Sequence, residues 1–234
     1  MRINKFLAQA GVCSRREADE LIRNGKVTIN GKVAGLGDQI TEEDNVEVEG
    51  KKVSKEETEK VYIAFHKPFG VITTTDKTMD NNILDWVDLK THRIFPVGRL
   101  DVQSSGLILL TNDGEIVDKI CRSVNQHEKE YLVTVDKSIT PEFLKKMAEG
   151  VYIFKRKTLP ARIQQISPQQ FDIVIVQGMN KQIRRMCEGL GYNVEILKRI
   201  RIMNIKLGEL QRGKWRFLTN GERKDLLRAL NLER

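Results

Sequence analysis

The sequence predicts an α+β protein with a small N-terminal domain and a larger domain built on a mixed, mainly antiparallel β-sheet flanked by helices. Short stretches in which apolar and polar residues alternate, typical of strands, recur along the chain between helical patterns. An almost entirely polar run, residues 51–60, separates residues 1–50 from residues 61–234 and is the expected linker. A chain of 234 residues is long enough for one or two domains.

The composition favours a polyanionic partner. Lys+Arg 40 against Asp+Glu 32 gives a formal net charge of +8, and nucleic acid is the commonest partner of such basic proteins. The alternative is a basic protein without such a partner. The three cysteines are widely separated and the three histidines lack metal-ligand spacing, so we expect neither a disulfide framework nor a metal site. No long apolar segment follows the first residues, which predicts a cytoplasmic protein without a signal peptide or membrane span.

Residues 1–50 predict two short helices followed by strands. Ser14 and Glu17 have the spacing of a capping box at the start of the second helix. Residues 26–33 contain an Asn-Gly turn between two strand-like stretches and predict a hairpin. Residues 45–48 alternate as a further short strand.

Positive charge is concentrated in the first half of this small domain, and negative charge in its second half. A basic face built from helix and hairpin can follow a nucleic-acid backbone through phosphate contacts. A solvated helix surface explains the same charges without any ligand. The candidate contacts are Arg2, Lys5, Arg15, Arg16 and Lys26.

The larger domain predicts strands separated by a few helices. Strands are expected at 61–65, 71–74, 107–110, 127–135, 161–163, 171–176, 194–197, 202–205 and 215–218. Residues 66–70 are expected to break the first strand. Helices are expected within 75–92, after 114, from 140 to 147, from 183 to 190 and from 219 onward.

Residues 98–114 hold the best candidate for catalytic chemistry. Residues 107–110 form an all-apolar run, which predicts a strand buried on both faces, and the sequence Asn-Asp-Gly ends it in a turn. Arg99 and Asp101 stand two apart on a glycine-flanked loop ahead of that strand. Catalytic groups are often acids beside a basic partner on a loop that a rigid strand anchors. A surface ion pair on a turn is the alternative.

This stretch carries a family resemblance. Its sequences Gly-Arg-Leu-Asp, Ser-Gly-Leu and Leu-Thr-Asn-Asp-Gly resemble the signature of the pseudouridine synthases that modify ribosomal RNA, the RsuA/RluB/RluE/RluF family. Lys-Pro-x-Gly at 67–70 is a second motif of this family, although many members carry Asn where His66 stands. Residues 127–137 and 177–188 are most similar to the RluF kind, which modifies bacterial large-subunit rRNA.

The N-terminal segment carries a second resemblance. Its order of helix, Cys-Ser-Arg-Arg-Glu-Ala, helix and Gly-x-Val-x-Ile-Asn-Gly resembles an S4 RNA-binding domain over nearly all of residues 1–50. Together the two resemblances imply an S4 domain followed by a catalytic domain of the pseudouridine synthase fold.

The family resemblance implies isomerisation of uridine to pseudouridine in RNA, with no cofactor or metal. It implies that Asp101 is the catalytic residue, that Tyr131 lies against the target uracil and that Arg184 pairs with Asp101. A neighbouring guanidinium favours an ionised carboxylate, which can act as nucleophile or base; the sequence leaves this choice open. Tyr131 as an ordinary core residue is the alternative. The remaining candidate RNA contacts are Lys67, Arg99, Lys129, Lys181 and Arg185.

The expected partner is ribosomal RNA of the large subunit, bound by a monomer, with pre-ribosomal particles as an alternative partner. The same reaction on tRNA or on 16S rRNA of the small subunit is the alternative within the class. Basic residues between 181 and 216 offer a second phosphate-binding track, although about half of them would face away from any one surface. A non-catalytic RNA-binding or ribosome-assembly protein with an idle synthase fold is the alternative from another class.

Overall fold

The structure is a computed structural model that describes residues 1–53, 59–76, 78–87, 89, 92–122 and 126–232. The chain divides into two compact units, one formed by Met1–Lys60 with Thr91–Arg93 and the other by Val61–Lys90 with Ile94–Arg234. Among the described residues, no helix combines the length and the apolar character that crossing a membrane requires.

The first unit is a pair of helices on a four-stranded antiparallel sheet in the order β2-β1-β3-β4. Its elements are α1 Ile3–Gln9, α2 Arg15–Arg23, β1 Val27–Ile29, β2 Lys32–Val33, β3 Val46–Val48 and β4 Lys51–Lys52. The capping box is confirmed, because Ser14 accepts a hydrogen bond from the Glu17 amide and the Glu17 carboxylate accepts one from the Ser14 amide. The expected linker begins inside this sheet, since β4 pairs with β3, and residues 54–58 lie outside the described residues.

The second unit is built on a large sheet in the order β11-β12-β8-β13-β7-β5-β15, with β14 beside β13 and β6 beside β7. Only the described pairing of β13 with β7 is parallel; this confirms the mixed, mainly antiparallel sheet. Its strands are β5 Tyr62–Lys67, β6 Phe95–Val97, β7 Ser105–Thr111, β8 Lys129–Val135, β9 Tyr152–Ile153, β10 Arg156–Lys157, β11 Arg162–Ser167, β12 Gln170–Ile175, β13 Val194–Ile202, β14 Ile205–Lys206 and β15 Trp215–Phe217. Its helices are α3 Gly114–Cys121, α4 Pro141–Glu149, α5 Gln182–Gly189, α6 Asn220–Ala229 and the single 3₁₀ turn Ile83–Asp85.

Strand β7 runs through the middle of this unit and is buried along its whole length, as the apolar run predicts. Ile108 and Leu110 face a core that α4 and α5 cover. Leu107 and Leu109 face a second core that α3 and α6 cover. The loop that precedes β7 is therefore anchored to the most deeply buried strand of the unit.

Three predictions for this unit are wrong. Strand β5 continues through Lys67 instead of breaking, because β7 lies alongside and supplies pairing partners up to Gly106. No strand forms at 71–74 in the described chain, where Ile72 makes only an isolated bridge. In the described residues of 75–92 the expected helix is present only as the 3₁₀ turn Ile83–Asp85, which Asn82 caps by accepting a hydrogen bond from the Leu84 amide.

The segment 202–205 is not one strand, because Ile202 ends β13, Met203 and Asn204 form a turn and Ile205 begins β14. The strand predicted at 194–197 is the start of the longer strand β13. It continues without a break because β8 runs antiparallel to it over nearly its full length. The predicted helix starts are confirmed at Asp113 and Thr140, whose side chains cap α3 and α4.

Candidate active site

Asp101 lies half-buried in the loop that joins β6 to β7. The Ser104 amide donates to the Asp101 carbonyl oxygen at 3.0 Å and closes the loop into a turn. The Thr73 hydroxyl donates to the Leu100 carbonyl oxygen at 2.7 Å and accepts from the Leu100 amide. The backbone on both sides of Asp101 is therefore fixed, which positions its carboxylate before any substrate binds.

Arg184 secures the same loop from helix α5. One of its guanidinium nitrogens donates to the Gln103 carbonyl oxygen at 2.6 Å and the other to the Val194 carbonyl oxygen at 2.7 Å. Burial lowers the pKa of Arg184, and the negative charge of Asp101 opposes that change, so the two groups attract each other. Among the described residues Asp101 forms no ion pair within 4.0 Å, so the implied pairing with Arg184 is an attraction over a longer distance. The direct contact of Arg184 is with the backbone of the loop that carries Asp101, at Gln103.

Tyr131 sits on β8, with 8% of its surface exposed, and its ring belongs to the core under α4 and α5. The Arg199 guanidinium lies over this ring, 6.0 Å from its centroid. In the sheet register Arg199 is opposite Tyr131 on one side and opposite Gly106 on the other. Tyr131 and the start of β7 therefore lie on either side of the buried Arg199 in the sheet.

At Gly106 the backbones of β7 and β13 come very close to each other. Its φ is +107°, and a Cβ atom there would lie 2.2 Å from the Arg199 carbonyl oxygen and 2.6 Å from the Arg199 nitrogen. Only glycine fits such a contact between two backbones. The Ser-Gly-Leu sequence after Asp101 therefore has a packing reason of its own.

Lys67 is fully buried, and its ammonium group donates to the Pro68 carbonyl oxygen at 2.8 Å and the Val71 carbonyl oxygen at 2.7 Å. Its prediction as an RNA contact is wrong, because no part of the side chain reaches the surface. Burial lowers the pKa of Lys67 from 10.5 to about 8, while the Asp101 carboxylate acts in the opposite direction. Lys67 therefore holds the Lys-Pro-x-Gly loop from beneath and attracts Asp101.

The low pKa of Lys67 predicts a pH dependence of stability. Between about pH 8 and 10.5 the unfolded chain binds more protons than the folded protein, so stability rises with pH in that window. From pH 7 to pH 10, we expect wild type to gain about 2 kcal/mol of unfolding free energy relative to Lys67→Met. Urea titrations at each pH measure this difference. The matched variant Lys206→Met, at an exposed lysine, should show no such trend; a flat difference for Lys67→Met would contradict the prediction.

The comparisons with known proteins agree with this geometry. Residues 61–189 match the family described as RNA pseudouridylate synthase, and residues 1–46 match the S4 domain. The chain belongs to the RNA pseudouridine synthases, in the RsuA/RluB family. It is 49% identical over 230 residues to the dual-specificity RNA pseudouridine synthase RluF of Salmonella typhi, covering 98% of this chain and 79% of that one.

Two further comparisons cover nearly the whole synthase. It is 41% identical over 238 residues to the ribosomal large subunit pseudouridine synthase B of Bacillus subtilis, covering 98% of this chain and 96% of the relative. A crystal structure of a pseudouridylate synthase superposes with a TM-score of 0.72 at 31% identity, covering 97% of this chain and 99% of that one. The S4 domain and the synthase fold are thereby confirmed.

Several buried polar atoms around the Asp101 loop lack a partner. Within the described part of the synthase, Ser104 Oγ, Arg184 Nε and Arg199 Nη2 have no hydrogen-bond partner. Arg199 is 2% exposed, and its Nε donates to the Leu107 carbonyl oxygen at 2.7 Å. Arg185 Nε in this unit and Asn4 Oδ1, Thr28 Oγ1 and Asn45 Oδ1 in the S4 unit also lack a hydrogen-bond partner, so this property does not by itself mark the site.

The predicted RNA contacts of the synthase unit differ in exposure. Arg99 and Lys181 are exposed. Lys129 is half-buried, with its ammonium group directed at the carbonyl oxygens of Ile120 and His127. Arg185, also half-buried, stacks on an aromatic ring described below.

The basic track expected between 181 and 216 is interrupted, which corrects that prediction. Arg199 is buried, and Arg201 forms ion pairs with Glu128 and Glu130. Arg216 likewise pairs with a carboxylate, on α6. These guanidinium groups stabilise the sheet and its neighbours, so the basic surface is smaller than the sequence predicts.

In the S4 unit all five predicted contacts are exposed: Arg2, Lys5, Arg15, Arg16 and Lys26. Lys26 also forms an ion pair with Glu49 at 2.7 Å.

His66, where the sequence departs from the family pattern, is buried. Its Nδ1 lies 2.7 Å from the Leu210 carbonyl oxygen, and burial lowers its pKa. A neutral ring that donates to a carbonyl group explains this residue structurally. In the described ranges no three His, Cys, Asp or Glu side chains converge as a metal site requires.

Proposed function

We propose that this synthase isomerises a uridine in large-subunit ribosomal RNA, with Asp101 as its catalytic residue. The observation that carries the proposal is the placement of Asp101. It lies on a loop held by Thr73, by Arg184 and by its own turn, and it attracts the buried Lys67 and the half-buried Arg184. The substrate class rests on the relatives, one of which is named for the large ribosomal subunit.

The reaction moves the ribose from one atom of the base to another. The bond between uracil N1 and ribose C1′ breaks, the base turns, and C5 bonds to C1′; C5 then loses a proton and N1 gains one, so the product is an isomer. The Asp101 carboxylate assists as nucleophile or as base, and Arg184 and Lys67 attract its negative charge.

Tyr131 offers its ring to the extruded uracil. Most of the ring is packed in the core, with the Arg199 guanidinium 6.0 Å from its centroid, so its orientation is fixed and only its small exposed part is available to the base. A base taken out of an RNA stack is commonly held on such an aromatic surface. The position of the ring two strands from Gly106 supports its role beside the Asp101 loop.

The S4 unit holds structured RNA through phosphate contacts from its exposed basic residues. The candidates are Arg2, Lys5, Arg15 and Arg16. The enzyme acts as a monomer in the cytoplasm, on ribosomal RNA or on a pre-ribosomal particle. A tRNA or small-subunit rRNA is the second candidate substrate, since the RluF relative is named a dual-specificity enzyme without a stated RNA.

The substrate is tested with ribosomal RNA and tRNA from a strain that lacks this gene. Each RNA is incubated with purified protein, and pseudouridine is mapped by carbodiimide labelling and primer extension. We expect one new stop in large-subunit rRNA. A stop only in tRNA or small-subunit rRNA would replace the proposed substrate. Absence of any stop, in mature RNA and in immature ribosomal particles alike, would favour a non-catalytic RNA-binding protein.

A further inference from the structure

Strands β9 and β10 form a small hairpin outside the main sheet, with Phe154 and Lys155 as its two turn residues. The φ angles of these residues are +51° and +62°. Two-residue hairpins favour this conformation, but the residues that adopt it easily are Asn, Asp and Gly. An aromatic residue and a lysine at these positions are unfavourable for the turn itself.

The hairpin exposes aromatic rings together with positive charge. Tyr152 is 72% exposed and Phe154 is 52% exposed, whereas Ile153 between them is buried. The segment also carries Lys155, Arg156 and Lys157, all exposed, and residues 152–157 contain no acidic residue. Large exposed rings flanked by cations are typical of surfaces that bind unpaired nucleotides.

The base of the hairpin is closed tightly. The Thr158 amide donates to the Val151 carbonyl oxygen at 3.0 Å, and the Val151 amide donates to the Thr158 hydroxyl at 3.0 Å. Gly150 has a φ of +91°, and a Cβ atom there would lie 2.3 Å from the Thr158 carbonyl oxygen. The hairpin is thus held in place, so its rings need little ordering when they bind a ligand.

Arg185 links the hairpin to the candidate active site. Its guanidinium carbon lies 3.9 Å from the centroid of the Phe154 ring, and the group also donates to Asn180 Oδ1 at 3.2 Å. Arg184, the next residue of α5, bonds the Asp101 loop through Gln103. One helix therefore contacts both the aromatic tip and the loop that carries Asp101.

We propose that the hairpin Tyr152–Lys157, together with Arg185, binds unpaired nucleotides that flank the target uridine. Tyr152 and Phe154 stack on bases, and Lys155, Arg156 and Lys157 contact phosphates. The proposal deepens the proposed function and rests on it for the RNA ligand. RNA fits this surface better than an apolar protein partner, because the tip combines two rings with four cationic groups and no carboxylate within the hairpin.

The first test measures the affinity of the full chain for a fluorescein-labelled single-stranded 12-mer of uridine by anisotropy. We expect Phe154→Ala to weaken binding about 10-fold, because a stacked base contributes substantially to such complexes. Phe217→Ala is the matched control, since Phe217 is also 52% exposed but lies on β15, an end strand of the main sheet, to which the hairpin does not belong. An affinity within two-fold of wild type for Phe154→Ala, or an equal loss in both variants, would overturn the proposal.

A second variant separates binding from folding. Phe154→Asn combined with Lys155→Gly supplies residues that favour the turn, so its melting temperature should match or exceed that of wild type while its RNA affinity falls. Retention of wild-type affinity in this stable variant would refute the proposal. The single change Lys155→Gln should reduce the dependence of binding on salt by about one phosphate contact, and an unchanged salt slope would count against that contact.

Turnover distinguishes this proposal from the proposed function. On the mapped RNA substrate, Phe154→Ala should raise KM about 10-fold and leave kcat within about two-fold, since the ring lies outside the reacting centre. If Phe154→Ala forms pseudouridine with an unchanged KM, the proposed role of the hairpin is refuted and the proposed function stands. Loss of 12-mer binding in Phe154→Ala, in a protein that forms no pseudouridine with any RNA, would support the hairpin and refute the catalytic function.

Discussion

Replacement of Asp101 by asparagine is expected to abolish pseudouridine formation and to leave RNA affinity within about two-fold of wild type. The amide keeps the size of the carboxylate but is neither a nucleophile nor a base at neutral pH. Loss of such a group typically lowers turnover by at least about 10³-fold. The loop should keep its shape, because the bonds that hold it involve the Asp101 backbone and neighbouring residues.

The measurement is tritium release from RNA labelled at uracil C5, since the reaction removes that hydrogen, together with RNA binding by anisotropy. Asp172→Asn is the matched control, because Asp172 is also half-buried but lies on β12, where no role in the reaction is proposed. Its turnover should stay within about two-fold of wild type. Turnover above about 1% of wild type in Asp101→Asn would refute the assignment of the catalytic residue.

The second large effect is expected from Gly106→Ala. The added methyl group would collide with the Arg199 backbone on β13, where neither strand can move without losing its other partner. We expect the unfolding free energy to fall by about 4 kcal/mol, as for other severe backbone clashes in a core. Any folded fraction should lose activity as well, since the start of β7 carries the Asp101 loop.

Urea unfolding followed by circular dichroism measures this change. Gly114→Ala is the control in the same unit, because a Cβ atom at Gly114 meets no neighbour within 4 Å and the residue begins helix α3. That variant should be as stable as wild type or slightly more stable. A loss of less than about 1 kcal/mol in Gly106→Ala would show that the two strands can separate without cost.

The features that the sequence predicts correctly are those that depend on neighbouring residues. Ser14 and Glu17 cap a helix by direct contact, and residues 107–110 indicate their burial by being apolar without interruption. These signals survive folding because they need few long-range partners.

The features that the sequence misses depend on distant partners. Lys67 stands in a Pro-Gly context that predicts a break, yet pairing with β7 extends the strand and buries the lysine. The sequence predicts Arg199 as one of several surface cations, but it is buried because β7 and β8 lie on either side of it. The hairpin at Phe154 and Lys155 lacks the Asn-Gly sequence that would have indicated its turn.

The single parallel pairing in the described part of the large sheet has a consequence for synthesis of the protein. Strand β13 joins β7 across some ninety intervening residues and ends at Ile202, so the pairing depends on a segment that is translated long after β7. Contacts between such distant segments form late in folding. A nascent chain still on the ribosome therefore cannot hold Asp101 in its final surroundings until the segment through Ile202 has emerged. We therefore expect the enzyme to be inactive until β13 has been translated and has paired with β7.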